Sequence, residues 1–143
     1  MSSKLSKNQL EKYSRQIILK NIGTLGQKKI LTSKVLIIGM GGLGCPVAEF
    51  LTRSGIGLLG IVDHDTVGLS NIHRQTLYNE TDLGKSKVKV AQKKLKNINF
   101  KTKINIHNFK LDKKNFTKII GNYDYIVDGT DNFETKFLIN DIS

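Results

Sequence analysis

The sequence predicts an α/β fold: a doubly wound, mainly parallel sheet with an N-terminal helical segment. Two observations carry this prediction. Val35–Ile38 is an unbroken aliphatic run, the signature of a strand covered on both faces, and Leu58–Val62 is a second strand pattern, aliphatic but for Gly60. Strand patterns also alternate with helical ones along the chain, which is the order of parallel sheets with crossover helices. A third observation places a site on that frame. The run Gly39-Met40-Gly41-Gly42-Leu43-Gly44 follows the first strand directly and opens a helix.

Residues 8–31 read as helical, with Leu10, Tyr13, Ile17 and Ile18 in a rough 3.6-residue stripe that Gly23 and Gly26 interrupt. After the first strand, Pro46 suits a first helical turn. Val47, Ala48, Phe50 and Leu51 are expected to form the buried face of a helix over 45–54, with Gly55 and Gly57 ending it. Asp63 marks the carboxyl end of the second strand. Residues 64–83 are polar and irregular, and a loop of that length inside a compact domain is normally functional. Residues 84–97 predict a helix with Val88, Ala91 and Leu95 inward and the lysines outward. Lys103–His107 predicts a strand, Phe116, Ile119 and Ile120 a short helix, and Tyr123–Val127 a further strand that ends at Asp128. Residues 134–142 begin another helix.

The chain has 143 residues and one cysteine, Cys45. One domain is expected. An internal disulfide or a cysteine-based zinc cage within the chain is excluded, and a reducing cytoplasm is expected. The N-terminal residues show no secretory pattern, and no apolar run is long enough to span a membrane. The formal charge is +11. Residues 81–120 hold twelve lysines against Asp82 and Asp112, while the remainder is nearly neutral. Only three arginines occur, Arg15, Arg53 and Arg74, and none lies in the lysine-rich segment. Nucleic-acid surfaces favour arginine, so the lysines are read as solvated helix faces rather than a specific nucleic-acid site, with non-specific polyanion binding as the alternative.

Gly39, Gly41 and Gly44 satisfy G-x-G-x-x-G in the strand–turn–helix context that gives this pattern meaning in Rossmann-like folds. Backbone N–H groups at such a turn can approach a phosphate. Asp63, at the end of the second strand, is placed to accept hydrogen bonds from ribose hydroxyls, against the plainer reading of an exposed strand-end acid. Gly84-Lys85-Ser86 imitates the tail of a P-loop, but position 79 is asparagine where that motif needs glycine. A triphosphate must therefore find its cations elsewhere, which points to Arg74, Lys87 and Arg15. Arg74 offers a rigid fork for a phosphoryl group, or else a surface salt bridge. Asp131 either holds Mg²⁺ with phosphate oxygens and waters or caps the last helix, a role Thr130 could also take. The three histidines lack a metal-ligand spacing. Cys45 reads as a small packing side chain beside the glycine loop.

Six motifs occur in order: Tyr13-Ser14-Arg15-Gln16-Ile17, Gly39–Gly44, Asp63-x-Asp65-x-Val67, Ser70-Asn71-x-x-Arg74-Gln75, Gly84-x-x-Lys87 and Thr130-Asp131-Asn132. Together, from about residue 8 onward, they resemble the ThiF/MoeB/HesA family, the bacterial relatives of ubiquitin-activating enzymes. Within it the molybdopterin-synthase and thiamine sulfur-carrier adenylyltransferases are the nearest in pattern. The resemblance implies an adenylyltransferase that joins AMP from ATP to the C-terminal glycine carboxylate of a ubiquitin-like sulfur carrier ending in Gly-Gly, with release of pyrophosphate. It implies ATP contacts from Gly39, Gly41, Gly42, Gly44, Asp63, Ser70, Asn71, Arg74, Lys87, Asp131 and Asn132. Catalytic roles would fall to Arg15, Arg74, Lys87 and Asp131, with Mg²⁺ on Asp131. Arg15 resembles the arginine that reaches into the partner's site, which implies a homodimer. The family often carries a zinc site, for which this chain supplies no ligands. Residues 1–33 are expected to be a helical arm of the same domain, and 34–143 an ATP-binding Rossmann-like domain truncated at its C-terminal end, since family members run on for about as many residues again. The competing expectations are a nicotinamide-dependent oxidoreductase domain, which leaves Asn71–Gln75 and Asp131 without a task, and an inert binding module whose lysine face docks an acidic partner.

Overall fold

A computed structural model describes residues 4–143. Four strands form one parallel sheet: β1 (Lys34–Ile38), β2 (Leu58–Val62), β3 (Lys103–His107) and β4 (Tyr125–Asp128), in the spatial order β3-β2-β1-β4. Seven helices accompany them among the described residues: α1 (Lys7–Lys12), α2 (Ser14–Ile17), α3 (Gly23–Thr32), α4 (Gly44–Ser54), α5 (Lys87–Ile98), α6 (Lys113–Ile120) and α7 (Phe133–Ile142). The chain winds outward through β1, α4, β2, α5 and β3, then returns through α6 to place β4 on the other side of β1. The switch point therefore lies between β1 and β4, and a crevice opens there above the carboxyl ends of the strands.

Alternation along β1 explains why its sequence is continuously apolar. Val35 and Ile37 pack with Cys45 and Ala48 of α4, Leu59 and Ile61 of β2, and Val88, Ala91 and Leu95 of α5. Leu36 and Ile38 face the opposite side, with Val62, Phe116 of α6 and Leu138 and Ile139 of α7. β1, β2 and β4 thus feed two cores, one per face, while the apolar residues of the edge strand β3 feed only the first.

Several expectations change. The N-terminal segment is three short helices rather than one, and Ile18 is exposed while Tyr13 is buried. Polar anchors replace the expected apolar stripe. Gln16 donates to Gln27 at 2.6 Å, both glutamine amides donate to the Ser54 carbonyl, and Asn99 donates to the Tyr13 hydroxyl at 3.1 Å. Phe50 is 71% exposed, not buried. The inward residues of α4 are Cys45, Ala48 and Thr52, and Phe50 lies about 200° round the helix from Ala48. The helix predicted from residue 84 begins at Lys87, and that lysine faces inward at 5% exposure. The long loop is folded onto the core rather than loose. Two single 3₁₀ turns, Leu69–Asn71 and Glu80–Asp82, punctuate it. Val67, Leu77 and Tyr78 are buried, and Val67 pairs with Lys85 and Gly84 through the backbone.

Candidate nucleotide cleft

A cleft of about 600 Å³ occupies the switch point, within the usual size range of small-molecule sites. Its floor is the glycine loop. Gly39 has φ +90° and its amide donates to the Val62 carbonyl at 2.8 Å, so the loop leaves β1 in a conformation that favours glycine. Gly44 lies so close to Gly39 that any Cβ there would overlap the Gly39 carbonyl oxygen. Gly44 is buried at the start of α4 and does not line the cleft, so what it supplies is close packing of loop on helix rather than ligand contact. Gly129, after β4, completes this contact: a Cβ on it would stand 2.9 Å from the Gly39 oxygen. Sequence reading missed Gly129, because its partner is close only once β4 lies beside β1.

Asp63 is held at the end of β2 by two backbone amides. Oδ2 accepts from Met40 at 2.8 Å and Oδ1 from Asp65 at 2.9 Å. These bonds fix the carboxylate at the lip of the glycine loop. Asp63, His64 and Asp65 bring three potential metal-ligand atoms within 4.8 Å of one another, though both Asp63 oxygens already accept hydrogen bonds.

Three polar side chains come from the loop and the start of α5. Asn71 accepts the Gly68 amide at 2.8 Å through Oδ1, which leaves its NH₂ for other partners. Arg74 lies against the loop, with its Cγ 3.5 Å from where a Gly42 Cβ would stand. Its Nη1 donates to the Ser70 carbonyl at 2.8 Å, with His73 Nε2 equally close. Lys87 is buried at the base of α5 and its Nζ is 3.7 Å from the Asp65 carboxylate. Ser70, by contrast, is exposed outside the cleft and meets it only through that carbonyl bond to Arg74. Arg15 is exposed on α2 and does not line the cleft of its own chain.

The fourth wall follows β4. Asp128 turns its carboxylate toward Thr130, whose amide and hydroxyl both donate to Oδ1, while Lys136 donates to Oδ2 at 2.9 Å. Burial disfavours the charge on Asp128, but the Thr130 hydroxyl and the Lys136 ammonium outweigh it and hold the carboxyl below its usual range. The cap of α7 is Asn132, whose Oδ1 accepts from Thr135 at 2.8 Å. Neither Asp131 nor Thr130 caps it. The Asp131 carboxylate lines the cleft with no hydrogen-bond or ion-pair partner among the described residues, a donor set of the hard-oxygen type that suits Mg²⁺. Phe109, Lys110 and Leu111, after β3, close the far side. Nothing in their local sequence marked them; the topology brings them there. Cys45 packs beneath the loop, where burial pushes its thiol up despite the pull of the Tyr78 hydroxyl. The same burial raises Tyr78, whose hydroxyl donates to the Met40 carbonyl at 2.7 Å.

A glycine loop at the switch point of a parallel sheet, with an acid ending the next strand, defines a Rossmann-type α/β protein. Within that class the ThiF family matches residues 13–143, and the chain belongs to that family. The adenylyltransferase and sulfurtransferase MOCS3 of Aedes aegypti is 45% identical over 139 residues, covering 97% of this chain and 32% of that protein. The sulfur carrier protein adenylyltransferase of Thermus thermophilus is 40% identical over 136 residues, covering 95% of this chain and 50% of that one. Among solved structures, PaaA superimposes with a TM-score of 0.85 at 33% identity, over 99% of this chain and 46% of its own. E. coli MccB, solved with ATP, gives a TM-score of 0.77 at 27% identity, over 90% of this chain and 40% of its own. The chain thus spans about a third to a half of the length of the curated relatives it matches.

Proposed function

We propose that this chain is the nucleotide-binding part of an adenylyltransferase that uses ATP to activate the C-terminal glycine carboxylate of a ubiquitin-like sulfur carrier. The observation that carries this reading is convergence. Asn71 and Arg74 come from the loop after β2, Lys87 from the start of α5 and Asp131 from the turn after β4, and all line one cleft whose floor is the glycine loop. The names of the relatives, sulfur-carrier and molybdopterin-related adenylyltransferases, support the reaction class.

In this reading the ribose hydroxyls donate to Asp63 and the phosphates lie over Gly41 and Gly42. Asn71, Arg74 and Lys87 take the phosphate oxygens. A carrier carboxylate oxygen attacks the α-phosphorus, the bond from that phosphorus to the α,β-bridging oxygen breaks, and pyrophosphate leaves with the bonding pair. Negative charge grows on the non-bridging oxygens, where the Arg74 fork and the Lys87 ammonium act most strongly. Burial of Lys87 reduces solvent screening of its charge. Asp131 would hold magnesium, which when bound would supply further positive charge to the phosphates. Asn132 fixes the strand-to-helix turn that presents Asp131. Residues 34–143 form the nucleotide domain and 1–33 its helical arm. Arg15, exposed outside its own cleft, would in this reading serve a second protomer, with a cytoplasmic homodimer as the working unit.

Titration of the purified protein with ATP in magnesium tests this. Arg74→Ala and Asp131→Ala are each expected to weaken ATP binding by about tenfold or more, the scale of one charge-assisted contact. ATP affinity that ignores both substitutions, or tighter binding of NADH than of ATP, overturns the assignment.

A further inference from the structure

Gln75 stands apart from the other residues of the cleft. It is 4% exposed, it lines the cleft, and its Oε1 has no hydrogen-bond partner among the described residues. Its Nε2 faces the cleft with no acceptor among the described residues, and it lies against the glycine loop, 3.5 Å from where a Gly41 Cβ would stand. The backbone beneath is rigid: the Gln75 amide donates to the Asn71 carbonyl at 2.9 Å, and its own carbonyl accepts from Tyr78 at 3.1 Å. Arg74 and Gln75, adjacent in sequence, therefore flank Gly42 and Gly41, adjacent in the loop.

A buried amide oxygen without a partner destabilises the free protein, and an apolar side chain of the same shape would not. The side chain contributes nothing to the fold that methionine could not. What it adds is an N–H group aimed at the loop. Phosphate oxygens accept hydrogen bonds, so the nitrogen end is the one they require.

We propose that Gln75 is a phosphate-positioning residue, whose Nε2–H donates to a phosphate oxygen seated over Gly41 and Gly42. The proposal rests on the reading that the cleft takes a nucleoside triphosphate. Its test compares ATP with adenosine, on the wild-type chain, Gln75→Met and Gln75→Glu, by calorimetric titration and thermal unfolding. Gln75→Met is expected to unfold at the same temperature or higher without ligand, to bind ATP about tenfold more weakly, and to bind adenosine unchanged. Gln75→Glu, which replaces the donor with a second anionic oxygen, is expected to lose more ATP affinity than Gln75→Met. A lower melting temperature for Gln75→Met with unchanged ATP affinity overturns the proposal, and so do equal losses for ATP and adenosine. Failure of the wild-type chain to bind ATP overturns the nucleotide reading itself, and that failure is visible before any variant is compared.

Discussion

Asp131 and Asn132 are neighbours with separate tasks. Asn132 spends its side-chain oxygen on the Thr135 amide and so caps α7, while Asp131 keeps its carboxylate for the cleft. Asn132→Ala should therefore lower stability by about 1 kcal/mol, the usual value of an N-cap, as read by urea unfolding. Asp131→Ala should leave unfolding unchanged and act on nucleotide binding alone. Asp82 provides a second residue-scale test. Its Oδ2 accepts from Lys94 at 2.6 Å and from the Asn79 amide at 2.9 Å. Burial opposes its charge, but the Lys94 ammonium and the Asn79 amide hold the carboxyl below its ordinary value of 3.8. A folded pKa below the unfolded one means stability that is complete well above pH 3.8 and is lost as pH falls through the folded value. Asp82→Asn is expected to destabilise by about 1–3 kcal/mol at pH 7. The difference from wild type should shrink in acid, in urea unfolding at pH 7 and pH 3.

At the scale of elements, β2 shows how tightly the sheet and the connection from α6 to β4 are matched. Gly60 pairs with Leu36 of β1 and Asn105 of β3, and a Cβ on it would overlap the Tyr123 hydroxyl and ring. That hydroxyl lies 3.0 Å from His107 Nε2, and burial pushes the His107 imidazole down. A methyl group at Gly60 must displace Tyr123 from this contact. Gly60→Ala should cost about 1–3 kcal/mol, the range for overpacking a closed core, measured as a shift in denaturant midpoint. α5 carries a different lesson. Lys87, Ala91 and Leu95 are spaced i, i+4, i+8 and share one face, so helical period alone could have put Lys87 inside. The helix pattern read alone turned the α5 lysines outward, while the motif that contains Lys87 already pointed it at the phosphates. Phe50 is the converse case: apolar, within a strongly predicted helix, and on the outer face.

At the scale of the whole molecule, the cleft is assembled from loops that follow all four strands, and Arg15 is not among its lining residues. If Arg15 acts across a two-fold interface, each site of a dimer needs Arg15 from one copy and Arg74 from the other. Arg15→Ala and Arg74→Ala should each be inactive in carrier-dependent pyrophosphate exchange when assayed in the complete enzyme. Mixed and allowed to exchange subunits, they should recover about a quarter of wild-type activity, because half the dimers then hold one intact site. No recovery in a mixture shown to contain hybrid dimers would place Arg15 outside the reaction. Exposed Tyr125 on the edge strand β4 and exposed Phe133 and Phe137 on α7 leave that flank apolar, and no helix among the described residues is long and apolar enough to cross a membrane.

The linear sequence determined the parallel sheet, the alternation of its strands with helices and the position of the glycine loop, because strands buried on both faces must be largely apolar and a turn with positive φ favours glycine. It also marked Asp63, Asn71, Arg74 and Asp131 as candidates for handling an anion or a metal, and all four line the cleft. Only the tertiary structure decided that Gly44 and Gly129 serve close packing, that Asn132 rather than Asp131 caps α7, and that Gln75 sits buried and unpaired beneath the loop. Those facts depend on which backbone lies within 3 or 4 Å of which, and that distance exists only after β4 has been laid beside β1.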